Sequence, residues 1–202
     1  MEKTMNVYDF DNTIYDGESS VDFLMFCLKK RPKLIKYIFV VFFNLAKYKV
    51  CLISKQELLK LAEKNLFGIL DICPDYEKLA ESFWDKSMNK IKPLYLDNKR
   101  KDDVIISASF DFLLKPCCRR LGVSNLLCSK ADLKNGKITR LCFRENKPEI
   151  FDSVFGSAHI DNFYTDSAND LPMIKRAEKS YLVKGNRLIL VNRHGKTVSK
   201  TK

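Results

Sequence analysis

Asp9 and Asp11 stand two residues apart where a short apolar run, Met5 to Phe10, gives way to Asn12-Thr13. Side chains two apart on an extended chain point the same way. The two carboxylates therefore converge at the carboxyl end of a buried strand, where open α/β sheets place their ligands. Converging carboxylates repel and call for a cation or a shared proton; the alternative is an Asp/Asn-rich turn without chemistry. Three later stretches bear on that choice: Ser107 after the run Asp103–Ile106, Lys147 beside a short helix, and Asp166-Ser-Ala-Asn-Asp170 after the run Ile160–Thr165. Together they offer a carboxylate nucleophile, a second carboxylate as acid and base, a hydroxyl and an ammonium for phosphate oxygens, and further acids for a hard divalent cation. Phosphoryl transfer needs those parts.

The elements that must position these residues follow from pattern. After Thr13 the sequence is helical for about eighty residues. Ser19-x-x-Asp22 opens one helix, Pro32 stands in the first turn of a second running from Lys33 to about Val50, and Ser54-x-x-Glu57 is a capping box for a third. Gly68 is expected to end the third, and Pro74-Asp75 to open a fourth carrying Tyr76, Leu79, Phe83 and Trp84. From Pro93 an α/β rhythm returns: a polar helix over Pro93–Lys101, a strand into Ser107-Ala108-Ser109, and a helix over Phe110–Leu121 bent or interrupted at Pro116 and stopped by Gly122. Asn125–Ser129 reads as a strand, and Asn135-Gly136 as the turn of a hairpin. A helix over Pro148–Phe155, the strand before Asp166, a helix over Leu171–Ala177 and a last core strand over Ser180–Val183 follow. The tail from Gly185 starts strand-like and is expected to end basic and mobile. The fold class is α/β: a Rossmann-like three-layer sandwich with a mainly parallel sheet, residues 1–16 and 93–202, and an inserted all-helical cap, residues 17–92.

In this order the stretches resemble the four motifs of the haloacid dehalogenase-like hydrolases, over nearly the whole chain, and within them the phosphoserine-phosphatase-like branch with a cap after the first motif. DFDNT and TDSANDLPM carry the resemblance; Ser107 and Lys147 are weak without them. The resemblance implies a Mg²⁺-dependent phosphomonoesterase in which Asp9 attacks phosphorus and becomes an aspartyl phosphate. Asp11 then protonates the leaving oxygen and later activates water. By the same resemblance Mg²⁺ is held by Asp9, the Asp11 backbone carbonyl and Asp166, while Ser107 and Lys147 hold the phosphoryl group. Asp170 orients Lys147 or a water on the metal, Asn169 lies near the phosphate, and Thr13 and Ala108 complete the substrate side. The sequence departs from the pattern at Thr165, where a glycine is common, and at Asn146, which lacks the usual glycine before the lysine.

The stretch Tyr37–Ala46 (YIFVVFFNLA) carries no charge and is flanked by Lys29, Lys30, Arg31, Lys33, Lys36, Lys47 and Lys49. Ten helical residues cover about 15 Å, half of a membrane's apolar thickness. Two readings stand: a helix buried in the cap, or one lying in a membrane interface with lysines at anionic headgroups. The layout is similar to that of bacterial phosphatidylglycerophosphatases of the C type, which implies a lipid-linked or glycerol-type phosphate as substrate. The alternative is a soluble one, phosphoserine or a sugar phosphate, by hydrolysis or transfer to an alcohol.

A formal charge of +11 and a pI near 9.3 favour an anionic partner. Nucleic acid is not expected, since the aromatic-basic pattern of single-strand binders is missing, and a non-enzymatic basic module is the least favoured reading. Seven scattered cysteines without a CxxC pair fit buried thiols in a reducing cytoplasm. Met1-Glu2-Lys3-Thr4 entering the first strand directly gives the cytoplasm, with the inner membrane surface as a peripheral option, as the expected address. A zinc site has little support, and His159 and His194 read as surface residues.

Overall fold

The computed structural model describes residues 5–49 and 52–200. The expected strand entry at Met1–Thr4, the helix end at Val50, Cys51 and the last two lysine-terminal residues of the tail lie outside them. The chain runs β1 (Asn6–Tyr8), α1 (Ser19–Lys30), α2 (Ile35–Lys49), α3 (Lys55–Ile72), α4 (Tyr76–Ser87), α5 (Pro93–Leu96), β2 (Val104–Phe110), α6 (Asp111–Leu121), β3 (Asn125–Asp132), β4 (Lys137–Arg140), α7 (Asn146–Phe155), β5 (Asn162–Thr165), α8 (Leu171–Arg176), β6 (Lys179–Lys184), β7 (Arg187–Val191) and β8 (Thr197–Lys200). The strands form one sheet in the order β4-β3-β2-β1-β5-β6-β7-β8. The five strands from β3 to β6 are mutually parallel, and β4, β7 and β8 join antiparallel. Strand order reverses at β1, so its carboxyl end opens into the crevice that this topology reserves for ligands.

Alternation along β1 sends Tyr8 to one face and Val7 to the other. On the first face Tyr8, Phe10 and Ile105 pack against Trp84 of α4 and Leu113, Leu114 and Cys117 of α6. On the second, Val7, Val104 and Phe163 pack against Phe151 of α7 and Met173 and Ile174 of α8. This is the expected three-layer α/β sandwich. Trp84 is fully buried and its indole N–H donates to the Leu113 carbonyl at 2.7 Å, so α4 is built into the sheet's own core. A smaller core of Cys27, Leu34, Cys73 and Leu79, with Phe23, Tyr37 and Ile69 against it, ties α1 to α3 together.

Several local expectations need correcting. The helix expected over Pro93–Lys101 stops at Leu96, because Asn98 folds back to donate to the Leu94 carbonyl and Asp103 accepts the Arg100 N–H in a turn. α6 runs unbroken through Pro116. The tail is a further pair of strands: Gly185, at φ +61°, and Asn186 turn the chain so that Lys184 pairs with Arg187, and β8 then pairs with β7. Gly-Asn between two apolar runs is a two-residue hairpin signal, and reading the segment by its charge hid it. Nor does Gly68 end α3, which continues to Ile72. A Cβ there would run into the Tyr37 hydroxyl, so the glycine admits a tyrosine from α2. Gly68→Ala is accordingly expected to lower stability by about 1 kcal/mol, although the same change in an open helix gains about that much; thermal melting of the two proteins gives the sign. The capping box holds as expected, with the Glu57 N–H donating to Ser54 Oγ and the Ser54 N–H to the Glu57 carboxylate.

Candidate active site

β1 ends at Tyr8, and the Asp9 N–H still donates to the Tyr164 carbonyl of β5 at 2.8 Å, which fixes Asp9 at the strand's mouth. The chain then turns through Asn12 at φ +56°, a left-handed conformation that asparagine tolerates better than most residues. The turn delivers Asp11 to the start of α1. One Asp11 oxygen accepts the Ser19 N–H at 2.6 Å and the other the Ser109 hydroxyl at 2.9 Å. A first-turn N–H of a twelve-residue helix is a natural seat for a carboxylate.

Lys147, in the first turn of α7, is 3% exposed and lies between two acids: its Nζ is 2.7 Å from Asp9 Oδ1 and 2.8 Å from Asp170 Oδ2. Asp170 is further held by the Thr165 hydroxyl at 2.9 Å. Thr165, where the resemblance leads one to expect glycine, thus has a bond to make. Ahead of Lys147 the tight backbone is at Arg144, φ +45°, and Asn146 donates its amide to the Leu141 carbonyl. No glycine is needed beside the lysine.

Burial pushes Asp9 up, to about 7; Lys147 pulls it back, while Asp170 and Asp11 add to the rise. For Lys147 burial acts downward, but Asp9 and Asp170 outweigh it and hold the ammonium above the ordinary lysine range. Asp166 is raised by burial and by Asp170. Glu18, at the edge of the site, is raised by partial burial of its carboxyl and then by Asp11 and Asp166. At Asp9, Glu18 and Asp166 burial is the main cause of the rise, and a neighbouring acid adds to it in each case. Hard oxygen donors gathered in this way fit a divalent cation such as Mg²⁺.

The structure brings Asp9, Lys147 and Asp170 into direct contact and sets Asp11 and Asp166 beside them. Ser107 is buried, its hydroxyl accepting the Ser109 N–H at 3.1 Å. Between them β2 bulges against β3, the register jumping from Ser107 to Phe110, and this re-aims the Ser107–Ser109 segment and leaves Ala108 exposed. Asn169 is exposed at the site's edge, its N–H on Ser167 Oγ. Thr13 does not join them: it is buried, lines a separate cavity of ≈ 140 Å³ with Tyr8, Tyr95 and Arg100, and its hydroxyl has no partner among the described residues. Reading from sequence missed the serines that hold Asp11. Ser19 Oγ and Ser20 Oγ lie 3.2 and 2.9 Å from Ser109 Oγ, and the i, i+2 spacing of Ser107 and Ser109 is the one signal in the sequence that could have pointed to Ser109.

Six described cysteines are buried free thiols, as expected. His194 is exposed, and His159 is exposed against Glu178 at the opposite, amino-terminal end of β6. No helix among the described residues is long and apolar enough to cross a membrane.

A lysine buried between two acids thus lies at the carboxyl ends of the parallel strands, with Asp11 and Asp166 close by. Residues 7–175 match the family model of the haloacid dehalogenase-like hydrolases, and the chain belongs to that family. In fold it is similar to a protein of unknown function from Bordetella pertussis Tohama I, with TM-score 0.72 and 18% identity over 89% of both chains. A phosphoserine phosphohydrolase-like protein from Francisella tularensis subsp. tularensis SCHU S4 aligns at TM-score 0.54 and 21% identity over 88% of this chain and 86% of that one. A family hydrolase from Salmonella enterica serovar Typhi aligns at 0.59 and 13% over 86% of this chain and 60% of that one. Sequence comparison with curated proteins gives no match.

Proposed function

We propose that the protein is a Mg²⁺-dependent phosphomonoester phosphatase working through an aspartyl phosphate, and that its substrate is a lipid-linked or glycerol-type phosphate. The observation behind the chemistry is the buried Asp9–Lys147–Asp170 contact with Asp11 fixed beside it. Lys147 engages Asp9 Oδ1, leaving Oδ2 to attack phosphorus in line with the ester oxygen. As the P–O bond breaks, Asp11 passes its proton to the departing oxygen, and the products are an alcohol and an acyl phosphate on Asp9. Asp11, now a carboxylate, takes a proton from a water that attacks the same phosphorus; inorganic phosphate leaves and Asp9 is restored. Lys147 and the Ser107 segment face the phosphoryl oxygens and offset their charge. A Mg²⁺ held by the Asp9 carboxylate, the Asp11 carbonyl and Asp166 would supply Lewis-acid neutralisation of the phosphoryl group. Asp170 keeps Lys147 placed, and α1 to α3 act as the cap.

The lipid reading rests on α2. Ile35, Phe39, Val40 and Phe43 share one side of it at helical spacing, and Phe39 and Phe43 are 57% and 58% exposed. An exposed apolar face edged by lysines suits an anionic membrane surface. Phosphate release should be followed with and without EDTA on phosphatidylglycerol phosphate in mixed micelles, glycerol 3-phosphate, phosphoserine and sugar phosphates. The expected result is metal-dependent turnover that favours the micellar ester. Phe39→Asp with Phe43→Asp should weaken flotation with anionic vesicles by on the order of 10²-fold. A soluble ester preferred, and no association with vesicles, would instead select the second reading, which the Francisella neighbour's description supports.

A further inference from the structure

Behind α1 lies an apolar cavity of ≈ 240 Å³, walled by Phe23 and Leu24 of α1, Leu66 and Ile69 of α3, Phe110 at the end of β2, and Phe112 of α6. An apolar cavity of roughly 150 Å³ already stays dry and takes up benzene. Cys27 and Cys73 also line this one, and burial pushes both thiols up. Protein interiors close-pack, and a void of this size leaves its lining without dispersion partners on one side. Its position is specific. Ser20 stands exposed at the rim, 2.9 Å from Ser109 Oγ, which in turn holds Asp11 Oδ2 at 2.9 Å. Two hydrogen bonds separate the cavity from the carboxylate that faces the leaving oxygen.

We propose that this cavity holds the apolar chain of the substrate's alcohol, the chain entering past Ser20 so that its terminal oxygen meets Asp11. The proposal rests on the phosphatase reading and narrows its lipid-linked substrate to one whose leaving alcohol carries an unbranched or prenyl-like hydrocarbon chain, bound inside the fold independently of any membrane contact through α2. A small polar alcohol would leave the void unfilled. The walls come from α1 and α3 on one side and from β2 and α6 on the other, so the occupant also joins the cap helices to the sheet.

The test is a series of n-alkyl phosphates from ethyl to decyl, each below its micellar concentration, with binding of n-octanol to the unmodified protein measured by calorimetry alongside. KM is expected to fall about threefold per added methylene and then level off when the cavity is full. Octanol should bind with a negative heat-capacity change. Leu24→Trp, which puts an indole into the cavity, should flatten the dependence on chain length. Turnover with no dependence on chain length overturns the cavity's role and leaves the phosphatase reading standing. A dependence lost in Phe39→Asp/Phe43→Asp but kept in Leu24→Trp assigns it to α2 and likewise overturns the proposal. If no ester is turned over, the phosphatase reading fails, and octanol decides the cavity alone: binding upholds an apolar ligand site, absence of binding removes it. Neither the alkyl series nor the calorimetry depends on a variant that folds.

Discussion

Asp9→Asn is expected to reduce phosphate release by at least about 10⁴-fold, the scale on which removal of a covalent nucleophile acts. The substitution is close to isosteric, and its amide oxygen can still accept the bond that Lys147 makes to Asp9 Oδ1 at 2.7 Å. What it lacks is a carboxylate oxygen able to form the acyl phosphate. Stability should move the other way. Burial raises Asp9 to about 7 in the fold, above its ordinary carboxylate value. A group so raised contributes stability that is full below the unfolded value and is lost as pH rises through the folded one. The metal-free parent should therefore melt lower at pH 8 than at pH 6, and Asp9→Asn should flatten that difference and melt at or above the parent at pH 8. An inactive but equally stable variant separates lost chemistry from lost structure. Residual activity within tenfold of the parent would remove Asp9 from the nucleophile's role.

The same residues show how far the sequence could be read. Asp9, Asp11, Asp166 and Asp170 were legible because a two-residue spacing at a strand end, or a short acidic loop after an apolar run, leaves few directions for the side chains. The parallel sheet followed from alternating apolar runs and helical stretches. What was hidden depends on contacts between segments far apart in the chain. The serines around Asp11 come from α1 and from a bulge in β2, ninety residues away, and no local pattern joins them. Gly68 read as a stop because its partner, Tyr37, lies in another helix. Thr13 was grouped with its neighbours, but the turn at Asn12 aims it into a different cavity. The last strand, β8, was missed for another reason: the tail from Gly185 read as strand-like only at its start, yet lysines and arginines on an edge hairpin guard against further pairing and need not mark a loose end.

Lys147→Met should give the largest loss of stability. The lysine side chain is 4% exposed, and it is the bonded cation of two acids whose side chains are 12% and 9% exposed. Removing one member of a buried ionic cluster leaves uncompensated charge and costs about 3–5 kcal/mol. For a domain of this size that corresponds to a fall in melting temperature of roughly ten degrees or more. Methionine keeps the length and apolar stem, so the cost falls on charge and not on a cavity. Without the ammonium the one downward pull from a neighbour on Asp9 is gone, while burial and the facing Asp170 remain. Asp9 then rises further, and the variant should regain stability as pH falls from 8 to 5 by more than the parent does. Activity should fall by about 10²–10³-fold, the usual loss when a donor facing transition-state charge is removed. A second change, Asp170→Asn, should restore part of the lost stability only in the Lys147→Met background, since it relieves a repulsion that the lysine otherwise cancels. Melting within a degree or two of the parent across that pH range would mean that the three groups are not buried together. The catalytic assignment of Lys147 would then lose its structural basis, even if Asp9 kept its own.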